Sequence, residues 1–418
     1  MTLPDEATRQ IFHERLAPLE SRFTGAGHRL YLVGGIVRDL LAGRSVAGSD
    51  ADIDLTTDAT PDVTFSLVQP WADTVWQQGA RFGTIGARKG ALVVEITTHR
   101  AERYRAESRH PDVDFSTRID DDLSRRDFTV NAMALELSRW ELIDPFDGRR
   151  DLGAGILRTP IDPAASFTDD PLRMLRAARF VAGYGLEPTG DLEQAMTQYR
   201  DRLAIVSRER IAEEFRKFLR VDRPGSGIEL LDRTGVIDEV MPVARTGLAP
   251  SAALDATPVD LGLRWAVMLW AWAPEGGRPS GRSLATIRES GDLQSDTDDV
   301  LRAMSVLDDA TFENAAALRR VLVTAGDALN RARVGLSAVG RGPDDEQWQR
   351  LSALAALEPP STIRSPLGGH EVMELLGCTG PEVGRALAWL LEERIREGPL
   401  LAQEAANRLR EWWDGRSD

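Results

Sequence analysis

The sequence has a single cysteine, Cys378, so an internal disulfide is excluded and a reducing compartment is indicated. Long apolar runs are also missing, since the longest, residues 265–273, is far shorter than the ~20 residues that a membrane-spanning helix needs. The N-terminal stretch has neither the basic region nor the apolar region of a secretion signal. These absences predict a cytoplasmic protein without a membrane segment.

Lysine is scarce as well, because only Lys89 and Lys217 occur among 51 lysines and arginines. Asp and Glu number 66, so the formal charge is −15, which argues against a protein that binds nucleic acid over its whole surface. Contacts with nucleic acid are then expected only where arginines cluster. The chain does have 418 residues, 42% apolar and 28% charged, which is typical of a folded protein with several domains.

The periodicity of the apolar residues changes once along the chain. Residues 29–33, 52–57 and 92–98 are rich in apolar and β-branched side chains and predict strands near the N-terminus. From about Pro171 to the C-terminus the apolar spacing is helical. The sequence therefore predicts an α+β protein, with a mixed-sheet head followed by an all-helical remainder.

A pair of glycines follows the first predicted strand in the sequence LVGGIVRD. A strand that ends at Gly34-Gly35 and continues into a helix lets the backbone approach a phosphate closely, and Arg38 adds a guanidinium there. Asp52 and Asp54 stand two apart on the next strand, so both carboxylates leave one face and can share a hard cation such as Mg²⁺. Two such aspartates alone are more typical of a solvated strand end, but the preceding glycines and arginine favour a metal and phosphate site.

Glu95, in the strand at residues 92–98, is a candidate third carboxylate beside this pair. It is equally consistent with an exposed strand position or with a partner for Arg100. The residues alone leave these alternatives open.

A second cluster of charge lies in the sequence DDLSRRDFTVNAMA. Arg125, Arg126 and Asp127 precede an apolar run that must pack, so they are held at the edge of a core. An arginine in that position suits an anionic ligand, and an ion pair between Arg126 and Asp127 is the alternative.

The third cluster lies in the sequence DDPLRMLRAARFVA. Arg173, Arg176 and Arg179 recur every three residues, and Asp170 stands three before the first, so the four form a stripe on one predicted helix. The other side chains of that helix are almost all apolar. Three guanidinium groups in such a helix need an anionic or hydrogen-bonding partner, because buried unpaired charge is costly. A neighbouring acidic helix is the structural alternative to a ligand.

At these residues the sequence resembles the class II tRNA nucleotidyltransferases, which are the bacterial CCA-adding enzymes and their poly(A) polymerase relatives. LVGGIVRD with Asp52 and Asp54 is similar to the family's metal and phosphate motif, and RRDFTVNAMA to its ribose-binding motif. Residues 143–152, IDPFDGRRDL, resemble its flexible-loop motif, DDPLRMLRAARF its base-reading motif and SRERIAEEFRKFL its helical scaffold motif. The resemblance covers about half of the chain. One departure is Asp169, where family members usually have Glu.

The resemblance implies a polymerase β-like nucleotidyltransferase head at residues 1–157, a base-reading helical neck at 158–225, a helical body at 226–300 and a tRNA-binding tail at 301–418. It implies Mg²⁺ as the cofactor, held by Asp52 and Asp54, which would also be the catalytic residues. The implied nucleotide-binding residues are Gly34, Gly35, Arg38, Arg126, Asp127, Asp170, Arg173, Arg176 and Arg179. The expected partners are tRNA, CTP and ATP, with no obligate protein partner.

The implied reaction is template-independent addition of CCA to the 3′ end of tRNA, with release of pyrophosphate. A partial enzyme that adds only CC or only A, a poly(A) polymerase and a catalytically inactive RNA-binding module are the alternatives. Because the net charge is acidic, contacts with RNA are expected to be few and local. The arginines expected to make them are Arg208, Arg210, Arg216, Arg220, Arg385, Arg394, Arg396, Arg408 and Arg410.

Overall fold

The structure is a computed structural model and describes residues 6–44, 53–79, 83–103, 112–241, 245, 250–273 and 279–415. The chain divides into two compact units. Unit 1 comprises Met1–Val206 and Arg233–Glu239, and unit 2 comprises Ser207–Asp232 and Val240–Asp418. All strands of the described residues lie in unit 1, and unit 2 is helical, so the predicted α+β class is confirmed.

One mixed sheet dominates the described part of unit 1. Its seven strands lie in the order β3-β4-β5-β2-β1-β8-β9, in which β2 and β5 are parallel and the other neighbours are antiparallel. The smaller pairs are β6 with β7, antiparallel, and β10 with β11, parallel. The strands are β1 (Leu30–Val33), β2 (Ile53–Thr57), β3 (Thr74–Gly79), β4 (Thr84–Lys89), β5 (Leu92–Thr98), β6 (Arg100–Arg103), β7 (Asp112–Phe115), β8 (Ala134–Glu136), β9 (Glu141–Ile143), β10 (Ile156–Leu157) and β11 (Glu187–Pro188).

The two faces of this sheet differ in burial. On β5, Leu92, Val94 and Ile96 are buried, whereas Glu95 between them is exposed. The apolar face packs against α1 and α3, and the alternation along the strand leaves the polar side chains on the other face. The helices of this part are α1 (Glu6–Gly25), α2 (Gly35–Leu41), α3 (Pro61–Val68), α4 (Ile119–Ser124), α5 (Gly148–Ala154), α6 (Pro163–Asp169), α7 (Arg173–Tyr184) and α8 (Gly190–Tyr199).

The start and end of α6 and α7 are determined by local sequence. Asp162 caps α6 by accepting a hydrogen bond from the N–H of Ala165, and Pro163 occupies the first turn, where its missing N–H costs nothing. Asp170 is extended, at φ −140°, and separates α6 from α7. Gly185 ends α7 in the left-handed region, at φ 65°, which glycine adopts without strain.

Residues Arg233–Glu239 belong to unit 1, although the chain has already entered unit 2 at Ser207. Val236 and Ile237 are fully buried, and the guanidinium of Arg233 donates to both carboxylate oxygens of Glu193, at 2.7 and 3.0 Å. The segment Arg233–Glu239 thus completes the packing of unit 1, although it follows Ser207–Asp232 in the chain.

Unit 2 is built on α13 (Leu261–Trp272), which contains most of the apolar run at residues 265–273. α13 is almost entirely buried and packs against α14 and α16, and a second core cluster near the C-terminus contains Cys378. No helix of the described residues is long and apolar enough to cross a membrane. The helices after Val206 are α9 (Arg208–Leu219), α10 (Gly225–Arg233), α11 (Val236–Val240), α12 (Ser251–Ala256), α13 (Leu261–Trp272), α14 (Gly291–Asp308), α15 (Ala315–Ala325), α16 (Leu329–Ala338), α17 (Asp345–Leu357), α18 (Gly369–Leu376), α19 (Pro381–Glu397) and α20 (Ala402–Asp414).

A fully buried arginine ties α13 to the end of α9. The guanidinium of Arg264 donates to the backbone carbonyl oxygens of Leu219 at 2.5 Å, Asp222 at 2.6 Å and Thr257 at 2.9 Å, and also to that of Val221. These carbonyls lie where α9 ends and α12 ends, so they have no partner in a continuing helix. One side chain therefore satisfies several backbone acceptors inside unit 2.

Candidate active site

The predicted glycine turn lies at the end of β1. Gly34 has φ 74°, which is a left-handed conformation, and α2 begins at Gly35. A Cβ on Gly34 would lie 3.1 Å from Nη1 of Arg126 and 3.8 Å from Oδ2 of Asp54. The turn, the carboxylate of β2 and the arginine of the second motif therefore meet at one place. Asp52 lies outside the described residues.

The sheet places a second carboxylate beside Asp54. In the parallel pair β2–β5, Asp54 is in register with Glu95, and both residues are exposed. Residues in register on neighbouring strands share a face, so Glu95 lies one strand away from Asp54. No group of three or more His, Cys, Asp or Glu residues suited to a metal ion occurs within the described residues, which exclude Asp52.

The second motif supplies a buried carboxylate and a half-buried arginine. Arg126 donates through Nη2 to Asp122 at 3.2 Å, one turn earlier, rather than to Asp127. Asp127 instead accepts from Nε of Arg176 at 2.9 Å, from Nη2 of Arg176 at 2.5 Å and from Nδ2 of Asn131 at 2.9 Å. The ion pair considered from the sequence, Arg126 with Asp127, is thus replaced by Asp127 with Arg176.

The charge of Asp127 is stabilised by these contacts. Burial alone would raise the pKa of its carboxyl group. The positive charge of Arg176 and the hydrogen bonds from Asn131, Arg176 and the backbone N–H of Phe128 outweigh burial and lower that pKa to about 2. Asp127 is therefore ionised at neutral pH and holds α7 against the second motif.

Arg38 lies inside the site rather than on its surface. Its Nη1 donates to Oδ1 of Asn131 at 2.6 Å, its Nε donates to Asp39 at 3.1 Å, and its Nη2 donates to the hydroxyl of Tyr184. The guanidinium is 4.1 Å from the centre of the Tyr184 ring, and its side chain is 7% exposed. Arg38 and Asn131 thus connect the glycine turn to both Asp127 and the last residue of α7.

The arginine stripe of α7 faces protein partners. Arg173 is buried and donates to the hydroxyl oxygen of Ser166 at 2.7 Å and to the carbonyl oxygen of Arg125 at 2.5 Å. Arg176 binds Asp127, and Arg179 lies over the ring of Phe180, 5.2 Å from its centre. Asp170 accepts the backbone N–H of Leu172 at 3.2 Å. The hydrogen bonds described for Arg173 and Arg176 therefore go to the second motif and to α6.

Sequence reasoning missed two members of this site, Asn131 and Tyr184. Asn131 lies within the NAMA segment of the second motif, where a polar residue in an apolar run was the available signal. Tyr184 ends α7, and burial raises the pKa of its hydroxyl group against the charge of Arg38, so it stays protonated. No spacing in the sequence indicates that Tyr184 meets Arg38, because 146 positions separate them.

The prediction of a loop at residues 143–152 was wrong for residues 148–152, which form the first part of α5. Gly148 begins α5, and a Cβ there would overlap the carbonyl of Thr129. Asp144 accepts the N–H groups of Gly148 at 2.6 Å and Arg149 at 2.9 Å, and the buried Asp151 accepts the hydroxyl of Thr129 at 2.8 Å. This segment is a packed support of the second motif.

The prediction of RNA contacts was wrong for one tail arginine. Arg394 is 7% exposed, and its Nη1 lies 2.7 Å from Oε2 of Glu358, which also binds Arg319. Arg408 lies 3.2 Å from Glu393 and 2.7 Å from Glu404. The remaining arginines of that set stay predictions.

Two family descriptions match the chain. Residues 30–158 match the poly A polymerase head domain, and residues 185–247 match a probable RNA and SrmB-binding site of polymerase A. The first match contains the glycine turn, Asp54 and the whole second motif.

Relatives match over most of the chain. A CCA-adding enzyme of Bacillus velezensis is 30% identical over 416 residues, which cover 95% of this chain and 97% of that protein. A CCA-adding enzyme of Geobacillus stearothermophilus is 30% identical over 375 residues, covering 86% and 87%. The crystal structure of the Bacillus stearothermophilus CCA-adding enzyme in complex with CTP has a TM-score of 0.74 at 26% identity and covers 97% of this chain and 98% of that one. The similarity thus extends through both units.

Proposed function

The chain belongs to the family of CCA-adding enzymes, and from this premise we propose that it adds C, C and A to the 3′ end of tRNA, taking CMP and AMP from CTP and ATP. It is a CCA tRNA nucleotidyltransferase. The site is assigned from one observation, which is that the Gly34 turn lies next to both Asp54 and Arg126. These groups offer close backbone approach, a metal ligand and a phosphate-binding cation at one point.

CCA-adding nucleotidyltransferases are metal-dependent, and Mg²⁺ is the proposed ion. Carboxylate oxygens are the ligands that Mg²⁺ prefers, and Asp54 and Glu95 present two of them on neighbouring strands. Asp52, which lies outside the described residues, is the third carboxylate that the sequence predicts for this ion. Bound Mg²⁺ would supply charge stabilisation for the attacking 3′-hydroxyl, the α-phosphate and the leaving pyrophosphate.

The protein's own groups position the nucleotide. The backbone of Gly34 and Gly35 and the guanidinium of Arg126 would hold the triphosphate, because no side chain on the turn stands between them. The guanidinium of Arg38 is bound to Asn131, Asp39 and Tyr184. Arg38 would therefore position the glycine turn that holds the triphosphate, rather than bind the triphosphate itself. Asp127 and Arg176, which bind each other, are the side chains that would lie next to the ribose.

Base selection without a template requires protein groups that distinguish base edges. Cytosine and adenine both present an exocyclic amine next to a ring nitrogen acceptor, whereas uracil and guanine present a carbonyl oxygen in place of the amine. At the junction of α6 and α7, Asp170 would offer an acceptor, and Arg173 would offer a donor through N–H groups other than those that bind Ser166 and the carbonyl of Arg125. A carboxylate that faces a carbonyl oxygen leaves buried polar groups unpaired, which costs several kcal/mol.

Replacing Asp170 with alanine is therefore expected to relax base selection, so that UTP or GTP is incorporated in a competition among four nucleotides. The effect on the KM for CTP should be smaller, because the triphosphate is held elsewhere. Asp201→Ala, at a carboxylate that is 84% exposed, is the matched control and should keep the selectivity of the wild type. Unchanged selectivity in Asp170→Ala would exclude it as the base reader.

The function itself is tested with tRNA that ends at the discriminator base. CTP alone should extend it by two nucleotides, ATP alone by none, and both together by three and no more. Extension by CC only or by A only would identify a partial enzyme, and a long run of A on generic RNA would identify a poly(A) polymerase. No extension in the presence of Mg²⁺ would contradict the proposal.

The division into head (1–157), neck (158–225), body (226–300) and tail (301–418), with the tail binding tRNA, remains part of this proposal. The cytoplasm is its proposed location, on the basis of the single cysteine and the tRNA substrate.

A further inference from the structure

A tryptophan shares the sheet face of the carboxylates. Trp76 on β3 is in register with Gly86 on β4, Gly86 with Glu95 on β5, and Glu95 with Asp54 on β2. Residues in register lie side by side on one face, with neighbouring strands ~4.8 Å apart. A row of four positions therefore runs from the tryptophan to the catalytic carboxylate.

Gly86 allows the indole to lie down on this face. A Cβ at Gly86 would overlap the Trp76 ring, whose Cζ2 lies 2.6 Å from that point, so the indole covers the backbone of Gly86. Trp76 is only partly buried there. Arg88 is exposed and stands two residues after Gly86 on the same strand, which places it on the same face. The result is an aromatic surface with a cation beside it.

This surface lies on the side of Asp54 away from the proposed nucleotide site. The Gly34 turn follows β1, and the second motif leads into β8, so both lie on the β1 side of β2. Glu95, Gly86 and Trp76 lie on the opposite side, on β5, β4 and β3. In phosphoryl transfer, the attacking and leaving oxygens are roughly in line on opposite sides of the phosphorus. The RNA 3′-hydroxyl must then approach from the side of Trp76.

We propose that the indole of Trp76 stacks on the base of the 3′-terminal nucleotide of tRNA, with Arg88 near an adjacent phosphate; this inference rests on the proposed metal site at Asp54. The enzyme must accept three ends in turn, the discriminator base and then two cytosines. Stacking suits that task because every base has a π-face, and aromatic platforms bind single strands with little sequence preference.

The test combines variants of the protein with variants of the tRNA end. Trp76→Ala is expected to lower kcat/KM for tRNA by about tenfold, with the KM for CTP unchanged, because one stacked base is lost. A tRNA whose 3′-terminal nucleotide is abasic should lose a similar factor with the wild type, and Trp76→Ala should add little further loss on that substrate. Trp76→Phe should recover most of the activity. Gly86→Ala, which displaces the indole, should resemble Trp76→Ala.

Gln77→Ala, an exposed neighbour on β3, is the matched control and should behave as the wild type. An equal loss for Trp76→Ala on normal and abasic tRNA would overturn the stacking proposal, because a merely structural role does not depend on the base. If the wild type adds no nucleotide to any tRNA, the proposed function fails instead. Binding then still tests stacking through the Kd for abasic tRNA divided by the Kd for normal tRNA. If Trp76 stacks on the terminal base, this ratio should exceed one for the wild type and be close to one for Trp76→Ala.

Discussion

Replacing Asp54 with alanine is expected to lower kcat for nucleotide addition by about a hundredfold or more, which corresponds to ~3 kcal/mol of transition-state stabilisation. Asp54 lies beside the Gly34 turn and in register with Glu95, so it is the described carboxylate closest to where a metal and a triphosphate would meet. Its removal leaves the tail unchanged, and the Kd for tRNA should therefore stay within about twofold. Single-turnover kinetics at saturating CTP, with tRNA affinity measured separately, checks both values.

Asp62→Ala is the matched control for this experiment. Asp62 is an exposed aspartate in the first turn of α3, outside the candidate active site, so its loss should leave kcat unchanged. Asp52→Ala should match Asp54→Ala if the two carboxylates share the metal. If Asp54→Ala retained more than about a hundredth of the wild-type kcat, the assignment of Asp54 as a metal ligand would be incorrect.

Replacing Arg264 with methionine is expected to destabilise unit 2 by about 3–5 kcal/mol. The fully buried guanidinium supplies hydrogen bonds to backbone carbonyls of Leu219, Asp222 and Thr257, and methionine would fill much of its volume without donating to any of them. Each buried acceptor left without a donor costs about 1–3 kcal/mol. Thermal unfolding followed by circular dichroism should show a decrease in Tm of roughly 10 °C.

Arg282→Met is the control, because Arg282 is an exposed arginine of unit 2. Its side chain is in contact with water in both the folded and the unfolded protein, so its replacement should leave Tm nearly unchanged. Arg264→Lys should fall between the two, since a compact ammonium keeps the charge but cannot reach all of these carbonyls. A Tm for Arg264→Met within about 2 °C of the wild type would show that water or a backbone shift satisfies those acceptors instead.

The periodicity of apolar residues predicts the strands and helices, but the sequence predicts only some of the residues that meet in the candidate active site. The strand Leu92–Thr98 coincides with its sequence prediction, and the helix Leu261–Trp272 lies in the part of the chain that was predicted to be helical, because alternating and helical apolar patterns distinguish the two. The sequence predicted that the glycine pair and Asp54 belong to one site, and they meet because the end of β1 lies beside the start of the antiparallel strand β2. Local spacing carries no information about which residues join across long separations.

The arginines illustrate this limit. The stripe on α7 indicated that Arg176 needs a partner, but Asp127 lies 49 positions away, and the sequence offered Arg126 as its nearer candidate. Arg38 was predicted to face a phosphate, and the structure places its guanidinium between Asn131 and Tyr184. A buried guanidinium binds whichever acceptors the fold brings to it, and those acceptors are set by tertiary packing.

The return of Arg233–Glu239 to unit 1 determines how the protein can be divided. A fragment that ended at Val206 would contain every strand of the described residues but would lack Val236 and Ile237, which are fully buried in unit 1. It would also leave Glu193 without the guanidinium of Arg233. A catalytic fragment that is to fold alone must therefore extend through Glu239 and carry Ser207–Asp232 along as an insertion, so the two units are interleaved along the gene rather than arranged end to end.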